Sequence, residues 1–178
     1  INLDTDAGET RTADYLAINP NGKIPTVVLE DGRAIAESNA IMWYLAEGSP
    51  LIPSDAFARA HMLQWLFFEQ YSHEPNIAVA RYIHRHLPEG HARYAELPAR
   101  LENGERALNV MEQHLSKEPF FAGGQFSLAD IALYAYTHVA ADGGFDLGRF
   151  PAVQDWCARI ANLPSHVPML EGPPPRDD

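Results

Sequence analysis

The sequence predicts two unlike parts, a small α+β segment at residues 1–47 and an all-helical segment at 57–178, joined by a linker at 48–56. Three observations predict this division. Residues 26–37, TVVLEDGRAIAE, hold two β-rich runs around Asp31-Gly32, a strong hairpin turn pair. Residues 48–55, GSPLIPSD, carry Pro50 and Pro53 and read as a connection. Beyond that connection the apolar residues recur with helical period.

The elements follow in order. Ile1 to Asp6 alternates apolar and polar, which predicts a short strand. In GETRTADYLAI, Thr12 is placed as a helix N-cap with Tyr15 and Leu16 on one face, and NPNG supplies the turn after it. The hairpin comes next. SNAIMWYLAE then predicts a helix capped by Ser38, with Ile41, Met42 and Leu45 on one face. A hairpin plus one strand makes a poor sheet. One further βα unit before Ile1, roughly 25–30 residues, would complete it.

In the helical part, residues 57–86 form a long segment that Pro75 should kink or break. A second helix is expected from about Ala99 to Leu115, with Leu101, Leu108, Met111 and Leu115 in register. A third opens at Ser127 and presents Leu128, Ile131, Ala132, Ala135 and Val139. The fourth follows Pro151, the favoured first-turn place for proline, with Val153, Trp156, Cys157 and Ile160 inward. The tail EGPPPRDD is expected to be loose.

Composition narrows the function classes. Apolar residues make up 46% and charged residues 21% of 178, an ordinary globular balance. Thirteen basic residues against 24 acidic ones give a net charge of −11, which repels polyanions and argues against nucleic acid. The lone Cys157 excludes a disulfide framework and a Cys-based zinc site; a reducing, cytoplasmic setting is the default. No apolar run approaches the ~20 residues of a membrane span. DTDAGE begins like a calcium loop but has Tyr15 where the loop needs Glu, and His84 and His86 do not share a helix face. No metal is expected.

The stretch GKIPTVVLEDGRAIAES concentrates unusual features. Pro25 stands at the mouth of a strand. Were Ile24–Pro25 cis, Ile24 would leave the ladder, and its N–H and C=O would face an extended peptide. A strand-entry proline at a sheet edge explains the same residue. Ser38 at a helix start offers a hydroxyl, free N–H groups and the positive dipole end to a carboxylate, and Glu37 beside it suits an ammonium. A plain cap with a solvated Glu is the simpler alternative.

Taken in order, NPNGKIP, the DG hairpin and ESNAI before an apolar helix resemble the glutathione transferase family. FSLADIALYAY is similar to the family's S-x-x-D capping element, in which Ser127 caps and Asp130 answers. FPAVQDWCARI resembles a later family helix, and EQYSHEPNIAVARY resembles the bacterial branch. The resemblance implies a thioredoxin-like N-terminal domain, incomplete here, followed by a helical bundle, with glutathione as co-substrate. It implies that Ile24 and Pro25 meet the cysteinyl backbone, Glu37 and Ser38 the γ-glutamyl end, and Lys23 the glycyl carboxylate. The thiol-activating Ser, Tyr or Cys is expected upstream of Ile1, so no catalytic residue is assigned. Tyr71, His73, Asn76 and Tyr82 bring polar atoms to the first long helix and are candidates for a second-substrate pocket. A homodimer is implied, through the hairpin-side helix and the Trp65–Phe68 region. Conjugation of a small apolar electrophile leads. Glutathione-dependent disulfide reduction or peroxide reduction, and a non-catalytic interaction module, are the alternatives.

Overall fold

The computed structural model describes residues 1–169, so the tail EGPPPRDD lies outside the described residues. By internal contact the described residues form two compact units, Ile1–Glu47 with Val167–Met169, and Gly48–His166.

The first unit opens without the expected strand. The Asp4 carboxylate instead accepts the N–H groups of Asp6 and Ala7, each at 2.9 Å, and curls the chain into turns. A short acidic side chain that satisfies its own backbone competes with a ladder. Helix α1, Ala13–Ile18, starts where Thr12 Oγ1 accepts from Tyr15 N–H at 3.3 Å. Strands β1, Thr26–Val28, and β2, Ala34–Ala36, pair antiparallel with Thr26 opposite Ala36 and Val28 opposite Ala34. Their turn closes through Gly32, at φ 84, and through Arg33, whose N–H and guanidinium both bond the Asp31 carboxylate. That guanidinium holds the Asp31 carboxyl below its ordinary range.

Helix α2, Ser38–Leu45, corrects two expectations. Its N-cap is Glu37, and Ser38 is the first helical residue. Ile41 and Ala46 are its buried positions while Leu45 is 69% exposed, because the chain turns inward only at the C-cap.

The second unit is helical. Asp55 caps α3, Ala56–Phe68, by accepting from Ala58 N–H at 2.8 Å. Pro75 does not break the long segment. A π-turn at Glu69–His73 widens it, with Glu74 N–H reaching Glu69 O, and Pro75 falls in the first turn of α4, Glu74–His86. There the missing proline N–H is not needed. Helices α5, Leu97–Leu115, α6, Leu128–Thr137, and α7, Pro151–Ala161, complete the unit. Their core contains Met62, Ile77, Ile83, Leu108, Met111, Phe121, Leu128, Leu133, Val153 and Trp156. Gly104 lets α5 approach Phe145, whose ring occupies the space an added Cβ would need.

Three packing details differ from the sequence reading. On α6 the buried positions are Leu128, Ala129, Asp130, Ala132, Leu133 and Thr137, whereas Ala135 is exposed and Val139 lies beyond the helix. The face is rotated because Asp130 turns inward. Cys157 is half-buried at the margin of the α7 stripe, where burial still pushes its thiol up to about 12. In the Trp65–Phe68 region, Trp65 is buried against Phe121 and Phe68 with centroids 4.5 and 5.1 Å away. Phe67, 69% exposed, is the outward residue there.

Among the described residues no helix is long and apolar enough to cross a membrane, and no group of His, Cys, Asp and Glu is placed to hold a metal ion.

Candidate functional site

The NPNGKIP loop runs from the C-cap of α1 into β1. Its Ile24–Pro25 bond is cis, and Ile24 is 53% exposed. Among the described residues no hydrogen bond engages the Ile24 N–H or C=O. The loop itself is firmly held. Tyr15 Oη donates to Lys23 O at 2.6 Å, and Asn19 Nδ2 donates to the same oxygen at 2.8 Å. Gly22 takes φ 61, a left-handed backbone that other residues adopt only under strain, and an added Cβ would meet the Thr10 carbonyl oxygen at 3.0 Å.

The hairpin register brings the second half of the site alongside. Thr26 and Ala36 are the last pair of the ladder, so Pro25 and Glu37 leave it at the same end. Neighbouring strands lie about 5 Å apart, which closes a separation of many residues in sequence. Glu37 has φ 70 and ψ 118, the one non-glycine residue at positive φ among those described. Such a conformation costs about 1–3 kcal/mol and persists where the surroundings fix it. Neither the Glu37 carboxylate nor the Ser38 hydroxyl bonds another described side chain or backbone group. Both stand at the start of α2, where early N–H groups lack intrahelical acceptors.

An edge with one free N–H and one free C=O thus adjoins a helix start with a hydroxyl and a carboxylate. This set suits an extended peptide whose head carries an α-carboxylate and an α-ammonium. A cleft of about 600 Å³ lies beside Ile24, walled by Leu3, Tyr15, Ile18, Pro25 and Val28; Glu37 and Ser38 are outside its walls. If the Glu37 backbone is strained to hold this arrangement, Glu37→Gly should raise the melting midpoint. A relief of ~1 kcal/mol corresponds to about 2–4 °C for a protein of this size, read by calorimetric melting.

The four residues expected around a second substrate do not all meet. Tyr71, 90% exposed, and Asn76 line a groove of about 330 Å³ with Arg106 and Val110. Tyr82 lines a different groove of about 360 Å³ with Glu74, Arg93 and Tyr136. His73 is wholly buried, with Nε2 2.8 Å from Thr137 Oγ1. Tyr71 and Asn76 thus share one groove, whereas His73 faces the core and Tyr82, about three turns beyond Tyr71, lines another.

Tyr15, Asn19 and Thr26, which hold this loop from α1 and β1, are residues whose role sequence reasoning missed. NPNG signals a turn, and the available cue was an Asn able to bond the backbone just beyond its own turn.

A family model described as Glutathione S-transferase, N-terminal domain, matches residues 2–47, and one described as Glutathione S-transferase, C-terminal domain, matches residues 61–164. The chain belongs to the glutathione S-transferase family. Among solved structures, a glutathione S-transferase from Pseudomonas fluorescens Pf-5 is 53% identical with a TM-score of 0.90, over 95% of this chain and 84% of that one. The disulfide-bond oxidoreductase YfcG of Escherichia coli is 31% identical, over 93% of this chain and 79% of its own. The glutathione transferase URE2P6 from Phanerochaete chrysosporium, solved in complex with oxidized glutathione, is 27% identical with a TM-score of 0.80, over 92% of this chain and 79% of that one. The glutathione S-transferase fold therefore accounts for both units: a small sheet with helices, then a helical domain.

Proposed function

We propose that this chain binds glutathione along the Ile24 edge and serves its transfer to small apolar electrophiles. The observation that carries this reading is the unpaired Ile24 backbone beside the Glu37–Ser38 helix start, in a chain of this family. The Ile24 N–H and C=O pair with the cysteinyl backbone. Ser38 Oγ and the first N–H groups of α2 take the γ-glutamyl carboxylate, and Glu37 takes the ammonium. Lys23 meets the glycyl carboxylate.

The chemistry then rests on the thiol. A free thiol of pKa near 8.5 is only about 3% thiolate at pH 7. Lowering it by ~2 units makes the thiolate predominant and corresponds to ~2.7 kcal/mol of preference for the anion. The residues named here orient the tripeptide, and none of them is assigned the donation to its sulfur. The thiolate attacks an electrophilic carbon, a carbon–sulfur bond forms, and the leaving group departs with the electron pair of the broken bond.

Ser38→Ala tests the binding pose. Loss of a hydrogen bond to a carboxylate should weaken glutathione by ~1–2 kcal/mol, about five- to thirtyfold in Kd by titration calorimetry. Unchanged affinity removes Ser38 from the site.

The similarity to YfcG supports a second reading, glutathione-dependent disulfide reduction. Turnover of a small disulfide with none on a chlorinated aromatic would favour it. We also place the protein in the cytoplasm as a homodimer, with Phe67 and Tyr71 rather than Trp65 facing the partner, because those two rings are exposed. Sedimentation of Phe67→Asp, expected to run as a monomer, checks that assignment.

A further inference from the structure

The Lys23 carbonyl receives more donors than a loop carbonyl needs. Tyr15 Oη lies at 2.6 Å, Asn19 Nδ2 at 2.8 Å and Thr26 Oγ1 at 3.4 Å. The three side chains also bond one another, with Asn19 Nδ2 and Tyr15 Oη each 3.0 Å from Thr26 Oγ1. Every hydrogen has an acceptor in this network. Tyr15 and Asn19 donate to Lys23 O, Asn19 donates its second hydrogen to Thr26 Oγ1, and the single Thr26 hydroxyl hydrogen is shared between Lys23 O and Tyr15 Oη. Asn19 is 5% exposed and its Oδ1 accepts Asn21 N–H at 3.1 Å, so its amide orientation is fixed.

The consequence follows from peptide planarity. Lys23 C=O and Ile24 N–H belong to one trans unit and point to opposite sides of it. Holding the oxygen on the Tyr15 side therefore aims the Ile24 N–H the other way. Tyr15 comes from α1, Asn19 from its C-cap and Thr26 from the first position of β1. The carbonyl is thus referenced to the hairpin that also carries Glu37 and Ser38.

We propose that Tyr15, Asn19 and Thr26 are positioning residues that aim the Ile24 N–H at the cysteinyl backbone of glutathione, an inference that rests on the glutathione reading above. A preset donor makes its bond without the cost of ordering a loop on binding. A purely structural role would lower thermal stability and leave affinity alone.

The test is glutathione titration calorimetry on the full chain, at a temperature where circular dichroism shows every variant folded. Tyr15→Phe and Thr26→Val should each raise Kd about five- to tenfold, the worth of one hydrogen bond. Thr26→Ser, which restores the hydroxyl, should return Kd to within about twofold of the parent. Affinity unchanged in Tyr15→Phe and Thr26→Val, while Ser38→Ala weakens binding, overturns the positioning role and leaves the glutathione site standing. A parent protein that does not bind glutathione overturns the site and this inference together.

Discussion

Replacing Asp130 by Ala should cost the helical unit about 3–5 kcal/mol, the range for removing one member of a buried, hydrogen-bonded charged network. Asp130 is fully buried. Its Oδ1 accepts from Trp156 Nε1 at 2.9 Å and Phe121 N–H at 3.2 Å. Its Oδ2 accepts from Ser127 Oγ at 2.9 Å and Ser127 N–H at 3.0 Å. Trp156, Phe121 and Ser127 are themselves buried, so the truncation leaves donors that water does not reach. Burial pushes the Asp130 carboxyl up, although these donors pull it down. Denaturant unfolding should show a lower midpoint at an unchanged slope. Asp130→Asn, which keeps one acceptor oxygen but turns an NH₂ toward another donor, should fall between the two. A loss under about 1 kcal/mol would reduce Asp130 to an ordinary cap.

A second large effect is expected in acid. Thr137 Oγ1 donates to Leu133 O at 2.6 Å, so the hydrogen between His73 and Thr137 belongs to His73 Nε2. His73 Nδ1 is then a bare lone pair, buried and without a partner among the described residues. Protonation would place an N–H in that position, and burial pushes the His73 pKa down to about 3. The unfolded chain keeps the ordinary value near 6.5. A depressed histidine pKa means that the unfolded state takes up the proton first. The stability held by neutral His73 is therefore complete above about pH 6.5 and drains as pH falls toward 3. Between about pH 7.5 and 4.5 the loss from this one group should be on the order of 3 kcal/mol. Asp130, with a raised carboxyl, acts in the opposite sense over its own range. The clean measurement is thus the difference between the parent and His73→Gln, followed by denaturant midpoints across that range. The parent should lose its stability relative to the variant as pH falls; parallel curves would show that His73 titrates normally or not at all.

Both effects arise from contacts that the sequence shows only in part. Ser127-x-x-Asp130 was legible as a capping box, since cap and answer lie within one helical turn. The indole that shares the carboxylate sits on α7, and no local pattern couples it to Asp130. His73 was legible as a polar residue on an apolar helix, hence its place among the pocket candidates. Helical spacing places it on the buried face with Met62, Leu66 and Ile77, but its partner Thr137 lies on α6, and no local pattern couples the two. The same limit applied at the start of the chain, where alternation suggested a strand and the Asp4 side chain took the backbone N–H groups instead.

By itself the sequence determined the hairpin at Asp31-Gly32, the caps at Thr12 and Ser127, and the family to which the chain belongs. These depend on turn chemistry and capping, which act over a few neighbouring residues. The tertiary structure alone decided that Pro25 and Glu37 leave the ladder together, that Glu37 takes a positive φ, and that three side chains converge on Lys23 O. Those outcomes depend on strand register and packing between elements, and such distances are set only once the chain has closed on itself.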